Sequence, residues 1–135
     1  MKILITEDDF TSRTILQSIL DPYGDCHIAA DGIEAIEAFM VAWAEGHRYD
    51  LVCLDIMMPR MDGQEVLNRI RTMEESEGIN AGEGVKIIMT TALGDKNNVL
   101  TAYNEQCDAY VVKPINRDKL LAHLREFGLI DETKV

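Results

Sequence analysis

The chain has 135 residues, a length that suits one domain with its own hydrophobic core. Apolar residues make up 47% of it and charged residues 27%, as in folded globular domains, and no apolar run approaches the roughly 18 residues of a membrane span. The formal net charge of -11 argues against direct nucleic-acid binding, because the phosphate backbone favours basic surfaces, but it is compatible with a bound cation.

The first residues, Met1-Lys2-Ile3, lead directly into a strand pattern and lack the features of a signal peptide. We therefore expect a cytoplasmic protein that makes no contact with a membrane. The cysteines Cys26, Cys53 and Cys107 are an odd number, and their spacing fits neither a disulfide framework nor a zinc site. We expect them to be reduced thiols, two of them in apolar strands.

Short β-rich runs alternate with helical periodicity along the whole chain. Strands are predicted at residues 3–5, 26–29, 51–54, 85–89 and 109–112. Each is followed by a predicted helix, whose inward side chains are in turn Ile15, Leu16, Ile19 and Leu20; Ile36, Phe39, Met40 and Trp43; Val66, Leu67, Ile70 and Met73; Val99, Leu100 and Tyr103; Leu120, Leu121, Leu124 and Phe127. The fourth of these helices spans about residues 95–105.

Five successive β/α units predict an α/β fold. We expect one doubly wound, five-stranded parallel sheet with helices on both faces and right-handed crossovers. No linker or low-complexity segment interrupts the pattern. We assign residues 1–128 to a single domain and residues 129–135 to a C-terminal tail.

Polar residues follow several of the predicted strands. Because parallel strands end at one edge of a sheet, these residues become neighbours despite their separation in sequence. In chain order they are Glu7, Asp8 and Asp9; Asp55; Thr90 and Thr91; Lys113 and Pro114. Each has an ordinary explanation by itself: Asp55 as a turn former, Lys113 as a solvated lysine, the threonines as strand formers. For Thr90 we favour that ordinary role.

Together these side chains predict phosphoryl chemistry. Neighbouring carboxylates repel one another unless a cation lies between them, and Mg²⁺ prefers oxygen ligands. A carboxylate whose charge is balanced by a metal and a lysine can attack phosphorus, giving an aspartyl phosphate. Thr91 and Lys113 are then suited to hold the phosphoryl oxygens.

Four motifs in order, "EDDF", "LVCLDIMMPRMDG", "IIMTTA" and "AYVVKPI", resemble the receiver domain of two-component response regulators. The resemblance covers about residues 2–127 and is closest to single-domain, chemotaxis-type regulators. It implies the strand order 2-1-3-4-5 of the flavodoxin-like fold.

The resemblance also implies a role for individual residues. Asp55 is the expected phosphoacceptor, and Thr91 and Tyr110 form the expected switch. Lys113 is expected to pair with the phosphoryl group. The expected Mg²⁺ ligands are Asp8, Asp9, Asp55 and the backbone carbonyl of Met57. The apolar residues Met57 and Leu93 are expected to slow hydrolysis of the aspartyl phosphate.

The function implied is that of a signalling protein, not an enzyme beyond catalysing its own phosphorylation and slow dephosphorylation. The expected phosphodonor is a histidine kinase or a histidine phosphotransfer protein. A downstream protein target is expected to bind the face formed by the fourth predicted helix, the fifth strand and the fifth helix. We expect a monomer or weak dimer.

Other interpretations remain open from the sequence. A phosphatase of the haloacid-dehalogenase type also uses a strand-end aspartate, Mg²⁺ and a lysine, but it needs a second acid where this chain has Met57. A flavodoxin-like electron carrier needs hydroxyls and glycines in the first loop, which here reads "TEDDF". Within the receiver interpretation, the chain is either a stand-alone regulator or a receiver from a longer protein.

Overall fold

Five parallel strands form one sheet in the order β2-β1-β3-β4-β5. The computed structural model describes residues 1–80, 82–92 and 106–131. The strands are β1 (Lys2–Thr6), β2 (Asp25–Ala29), β3 (Leu51–Asp55), β4 (Lys86–Thr91) and β5 (Ala109–Val112). The order and the parallel pairing confirm the sheet predicted from the sequence.

Within the described residues, four α-helices flank the sheet: α1 (Phe10–Leu20), α2 (Gly32–Ala44), α3 (Gly63–Ser76) and a C-terminal helix (Arg117–Glu126). Each begins after a residue whose side-chain oxygen accepts a hydrogen bond from a backbone N–H of the first turn, which satisfies a donor that has no partner within the helix. These N-cap residues are Asp9, Asp31, Asp62 and Asn116. The fourth helix predicted from the sequence lies outside the described residues.

Alternation along the strands divides the apolar residues between two layers. In β3, Leu51 and Cys53 face α1 and the C-terminal helix, whereas Val52 and Leu54 face α2 and α3. All four side chains are completely buried. A central strand that is apolar on both faces requires helices on both sides, so the doubly wound arrangement follows from the composition of β3.

The expectation that Met40 faces the core is wrong. Helix α2 instead buries Ala35, Phe39 and Ala42, while Met40 is 52% exposed. The three buried positions are four and three residues apart and form one stripe, and Met40 lies about 100° around the helix from Phe39. The small side chains of Ala35 and Ala42 allow α2 to approach the sheet closely, and Phe39 fills the space between the helix and the sheet.

Two residues of the predicted tail pack against the domain: Leu129 and Ile130 are partly buried against the layer that contains α1.

Cys26, Cys53 and Cys107 are free thiols, as predicted. Cys53 is completely buried, and this burial raises the pKa of its thiol to about 12. Among the described helices, none combines the length and apolar character that a membrane crossing requires.

Candidate functional site

Three carboxylates meet at the carboxyl edge of the sheet. Glu7 follows β1, Asp8 comes next, and Asp55 is the last residue of β3. One oxygen from each lies within 4.8 Å of the others. Glu7 and Asp55 are buried, and Asp8 is exposed to solvent. Hard oxygen donors at this spacing, open on one side, fit a small divalent cation such as Mg²⁺.

Lys113 connects the two buried carboxylates. It follows β5, and its Nζ lies 2.9 Å from Glu7 Oε1 and 3.2 Å from Asp55 Oδ2. Its backbone N–H donates to the carbonyl of Thr91 at 2.7 Å, which extends the pairing of β5 with β4 by one residue. This backbone hydrogen bond therefore fixes the position of the Lys113 Cα. From there the aliphatic part of the side chain extends toward the ends of β3 and β1.

Glu7 is under electrostatic conflict. Burial, together with a hydrogen bond to Asp55 and the charge of Asp55, raises the pKa of Glu7 from 4.5 to about 7, against the opposing effect of Lys113. For Lys113 itself, burial disfavours the charged form, but Glu7 and Asp55 outweigh burial and raise its pKa above the usual value. The single positive charge of Lys113 therefore does not fully balance the negative charge of the carboxylates around it.

Both oxygens of Asp55 are held. Oδ2 accepts from Lys113, and Oδ1 accepts from the backbone N–H of Met57 at 3.2 Å. Met57 is 57% exposed, and its main chain engages the site through this N–H. Asp55 thus has a fixed orientation at the end of a buried strand.

Asp9, an expected Mg²⁺ ligand, lies at the N-terminus of α1. Its Oδ2 accepts from the backbone N–H of Ser12 at 2.9 Å, where it caps α1. This hydrogen bond lowers the pKa of Asp9. The clustered acidic residues are therefore Glu7, Asp8 and Asp55, shifted by one position from the predicted pair of Asp8 and Asp9.

Alternation along β1 contains the signal for Glu7. Ile5 pairs with Cys53, so two residues further along Glu7 lies on the same sheet face as Asp55. Asp9 begins the helix and leaves that register.

The two threonines at the end of β4 face opposite sides. Thr90 is completely buried and its hydroxyl donates to Glu7 Oε2 at 3.4 Å, a contact that the sequence did not reveal. Thr91 is also buried, and its hydroxyl donates to the carbonyl of Ala92 at 3.3 Å. The pairings Thr91 with Val112 and Met89 with Tyr110 place Thr91 and Tyr110 on one face of the sheet. Tyr110 is 40% exposed.

The response regulator receiver domain model matches residues 3–125. The chain belongs to this family. Receiver domains are the signalling domains of two-component response regulators, and this assignment agrees with the resemblance seen in the four sequence motifs. Leu93, which was expected to slow hydrolysis of the aspartyl phosphate, lies outside the described residues.

Curated relatives include a probable transcriptional regulator, ycf27, of Cyanophora paradoxa, which is 38% identical over 92% of this chain and 46% of its own length. The response regulator MprA of Mycobacterium avium is 33% identical over 99% of this chain and 53% of its own length. The chain spans about half the length of these relatives.

Solved structures show the same fold. CheY in the CheX-CheY-BeF3-Mg²⁺ complex of Borrelia burgdorferi is 28% identical with a TM-score of 0.76, over 93% of this chain and 87% of that chain. The receiver domain of Saccharomyces cerevisiae Ssk1, crystallised with the histidine phosphotransfer protein Ypd1, is 26% identical with a TM-score of 0.79, over 99% of this chain and 94% of that chain.

The raised pKa of Glu7 predicts a stability that depends on pH. The folded protein retains a proton on Glu7 between pH 4.5 and about 7 that the unfolded chain releases. Without metal, the unfolding free energy should therefore fall as pH rises through this window, by at most roughly 3 kcal/mol, since one pKa unit is about 1.4 kcal/mol. Urea unfolding in EDTA at several pH values measures it.

The control is Glu7→Gln, which cannot titrate. The difference in stability between parent and variant isolates Glu7 from the histidines and other acids. If this difference is the same at pH 5 and pH 8, Glu7 does not retain the proton.

Proposed function

We propose that this receiver domain accepts a phosphoryl group on Asp55 in a Mg²⁺-dependent reaction. The observation that carries the proposal is the position of Asp55, with one oxygen 3.2 Å from the Lys113 ammonium and the carboxylates of Glu7 and Asp8 beside it. Bound Mg²⁺ would neutralise carboxylate charge and polarise the phosphoryl oxygens. Glu7, Asp8, Asp55 and the backbone carbonyl of Met57 are the proposed ligands.

In the proposed reaction, an oxygen of Asp55 bonds to phosphorus while the bond from phosphorus to the donor's histidine nitrogen breaks. The electron pair of that bond remains on the imidazole. Lys113, whose Nζ is 3.2 Å from Asp55 Oδ2, would hold a phosphoryl oxygen by a charge-assisted hydrogen bond. The proposed donor is a histidine kinase or a histidine phosphotransfer protein, supported by the complex of the related Ssk1 receiver domain with Ypd1.

The output we propose is a change of the surface around Tyr110. The phosphoryl group adds roughly -1.5 to -2 charge, which attracts Lys113 and the hydroxyl of Thr91. Thr91 and Tyr110 share a face of the sheet, so movement of Thr91 alters the space available to the Tyr110 ring. A downstream protein that binds β5 and the C-terminal helix would then sense phosphorylation.

Incubation with acetyl phosphate and Mg²⁺ tests the acceptor. Intact mass spectrometry should show one added phosphoryl group in the parent protein and none in Asp55→Asn, because the amide is a poor nucleophile. Glu7→Gln should retain some phosphorylation, since it alters a neighbour of the acceptor. Equal labelling of Asp55→Asn and the parent would place the chemistry elsewhere.

Asp8 and Asp9 offer a matched pair for the metal site. Asp8→Asn should weaken Mg²⁺ binding by about tenfold or more, because it removes a carboxylate from the cluster. Asp9→Asn keeps an oxygen that can cap α1 and loses only an exposed charge. The Mg²⁺ affinity of this variant should therefore differ from that of the parent by about twofold or less. Mg²⁺ titration followed by NMR measures both. The reverse ranking would restore Asp9 as the ligand predicted from sequence.

Lys113→Ala should separate phosphorylation from signalling. Beryllofluoride with Mg²⁺ stands in for the phosphoryl group and should shift the amide resonances of Tyr110 and Val112 in the parent. The variant should bind it yet lose most of those shifts, because the ammonium that the oxyanion attracts is missing. Phe39 and Trp43 in α2 serve as the internal control. Undiminished shifts at Tyr110 would exclude Lys113 from the relay.

A further inference from the structure

The loop between β3 and α3, residues 56–62, is hydrogen-bonded to Asp55 near its start and closes against the backbone of Asp55 at its end. Its second residue, Met57, donates its backbone N–H to Asp55 Oδ1 at 3.2 Å. At the other end, the N–H of Gly63 donates to the carbonyl of Ile56 at 2.8 Å. A Cβ added at Gly63 would lie 2.3 Å from the carbonyl oxygen of Asp55, so the loop closes directly on the acceptor's backbone. We call this segment the acceptor loop.

The middle of the acceptor loop is held by a different helix. Arg60 donates from Nε to Asp31 Oδ2 at 3.1 Å, and its Nη2 bonds the same oxygen. Asp31 is mostly buried and also caps α2, where its Oδ1 accepts from the N–H of Glu34 at 3.0 Å. The bond from Glu34 and then the pair with Arg60 lower the pKa of Asp31, so this carboxylate stays charged.

The backbone of Arg60 has a φ of +66°, in the left-handed region that favours glycine. An arginine in this conformation gives up backbone stability, and its half-exposed side chain bonds Asp31. The neighbouring Met61 also lies close to α2: a Cβ added at Gly32 would lie 2.2 Å from the Met61 carbonyl oxygen. The acceptor loop is thus packed against the start of α2 and bonded to it by an ion pair.

We propose that Arg60 is a positioning residue for the acceptor site. Its pair with Asp31 holds the acceptor loop on α2 and thereby keeps the main chain of Met57 beside Asp55. The inference rests on the proposed function in one respect, that the Met57 carbonyl and Asp55 together hold Mg²⁺. In this role Arg60 would act through Asp31 and the main chain of the loop, without touching the metal or the phosphoryl group itself.

A purely electrostatic role and a positioning role of Arg60 predict opposite changes in Mg²⁺ affinity when the side chain is removed. Removing a cation from this acidic protein strengthens its field for divalent ions and should tighten Mg²⁺ binding. Loss of positioning should weaken binding. The direction of the change in Mg²⁺ affinity therefore distinguishes a positioning role from a purely electrostatic one.

The main variant is Arg60→Gly, which suits the left-handed backbone and so should keep the unfolding midpoint at or above the parent value. We expect its Mg²⁺ dissociation constant to rise by about threefold to tenfold. Arg60→Lys keeps the charge and should recover part of the affinity. The matched control is Arg69→Ala, which removes an exposed ion pair with Glu65 from α3 and should leave binding unchanged or slightly tighter.

A double-mutant cycle identifies the partner. Asp31→Asn preserves an oxygen that caps α2 but loses the charge that Arg60 binds. If the two residues act as a unit, Asp31→Asn combined with Arg60→Gly should bind Mg²⁺ no more weakly than the worse single variant. Fully additive losses would show that Asp31 and Arg60 act independently and would overturn the pair as the positioning device.

Amide hydrogen exchange of the metal-free protein separates this inference from the proposed function. Exchange at the Met57 N–H should be about tenfold faster in Arg60→Gly than in the parent, with the amide of Val52 as an unchanged reference. If the parent binds no Mg²⁺, the metal proposal fails and exchange at Met57 alone decides the role of Arg60. Unchanged exchange, or tighter Mg²⁺ binding by Arg60→Gly, would overturn the inference.

Discussion

Two carboxylates buried at one edge of the sheet, Glu7 and Asp55, share the ammonium group of Lys113. Burying either charge without a partner would cost several kcal/mol. Lys113 follows β5 at the border of the sheet, whereas Glu7 follows β1 and Asp55 ends β3, so the contacts of the lysine reach across β4. The parallel arrangement is what brings these three strand ends to the same edge. The site and the sheet order therefore depend on each other.

The compensation is incomplete, and the remaining conflict gives the site its chemical character. A proton on Glu7 relieves the repulsion between the carboxylates, and a divalent cation bound there would relieve it as well, so under our proposal protons and Mg²⁺ compete for this edge. A phosphoryl group on Asp55, as we propose, would compete with Glu7 for the ammonium group of Lys113. The proposed reaction would thus draw away the same group that holds the resting site together, and would couple the charge on Asp55 to the surroundings of β4 and β5.

Much of the fold could be predicted because strand and helix periodicity, N-cap residues and the doubly apolar β3 all favoured one architecture. The site was predicted less completely. Asp55 and Thr91 end strands and Lys113 follows one, so the strand pattern was enough to place them at this edge of the sheet, but the choice among Glu7, Asp8 and Asp9 depends on where β1 stops and α1 starts. The sequence pattern locates the end of a strand only to within one or two residues. A shift of one residue decides whether a carboxylate faces the sheet or caps a helix. Met40 was misplaced for a similar reason, since neighbouring apolar residues on a helix differ only in angle.

The buried thiol of Cys53 lies two residues before Asp55 and points to the same face of the sheet. Only the thiolate reacts with disulfide reagents, and a pKa of about 12 leaves very little of it at neutral pH. Labelling of Cys53 consequently requires the sheet to open beside Asp55. The rate at which a thiol reagent labels Cys53 therefore measures how often the central strand opens, and no cysteine has to be introduced for the measurement.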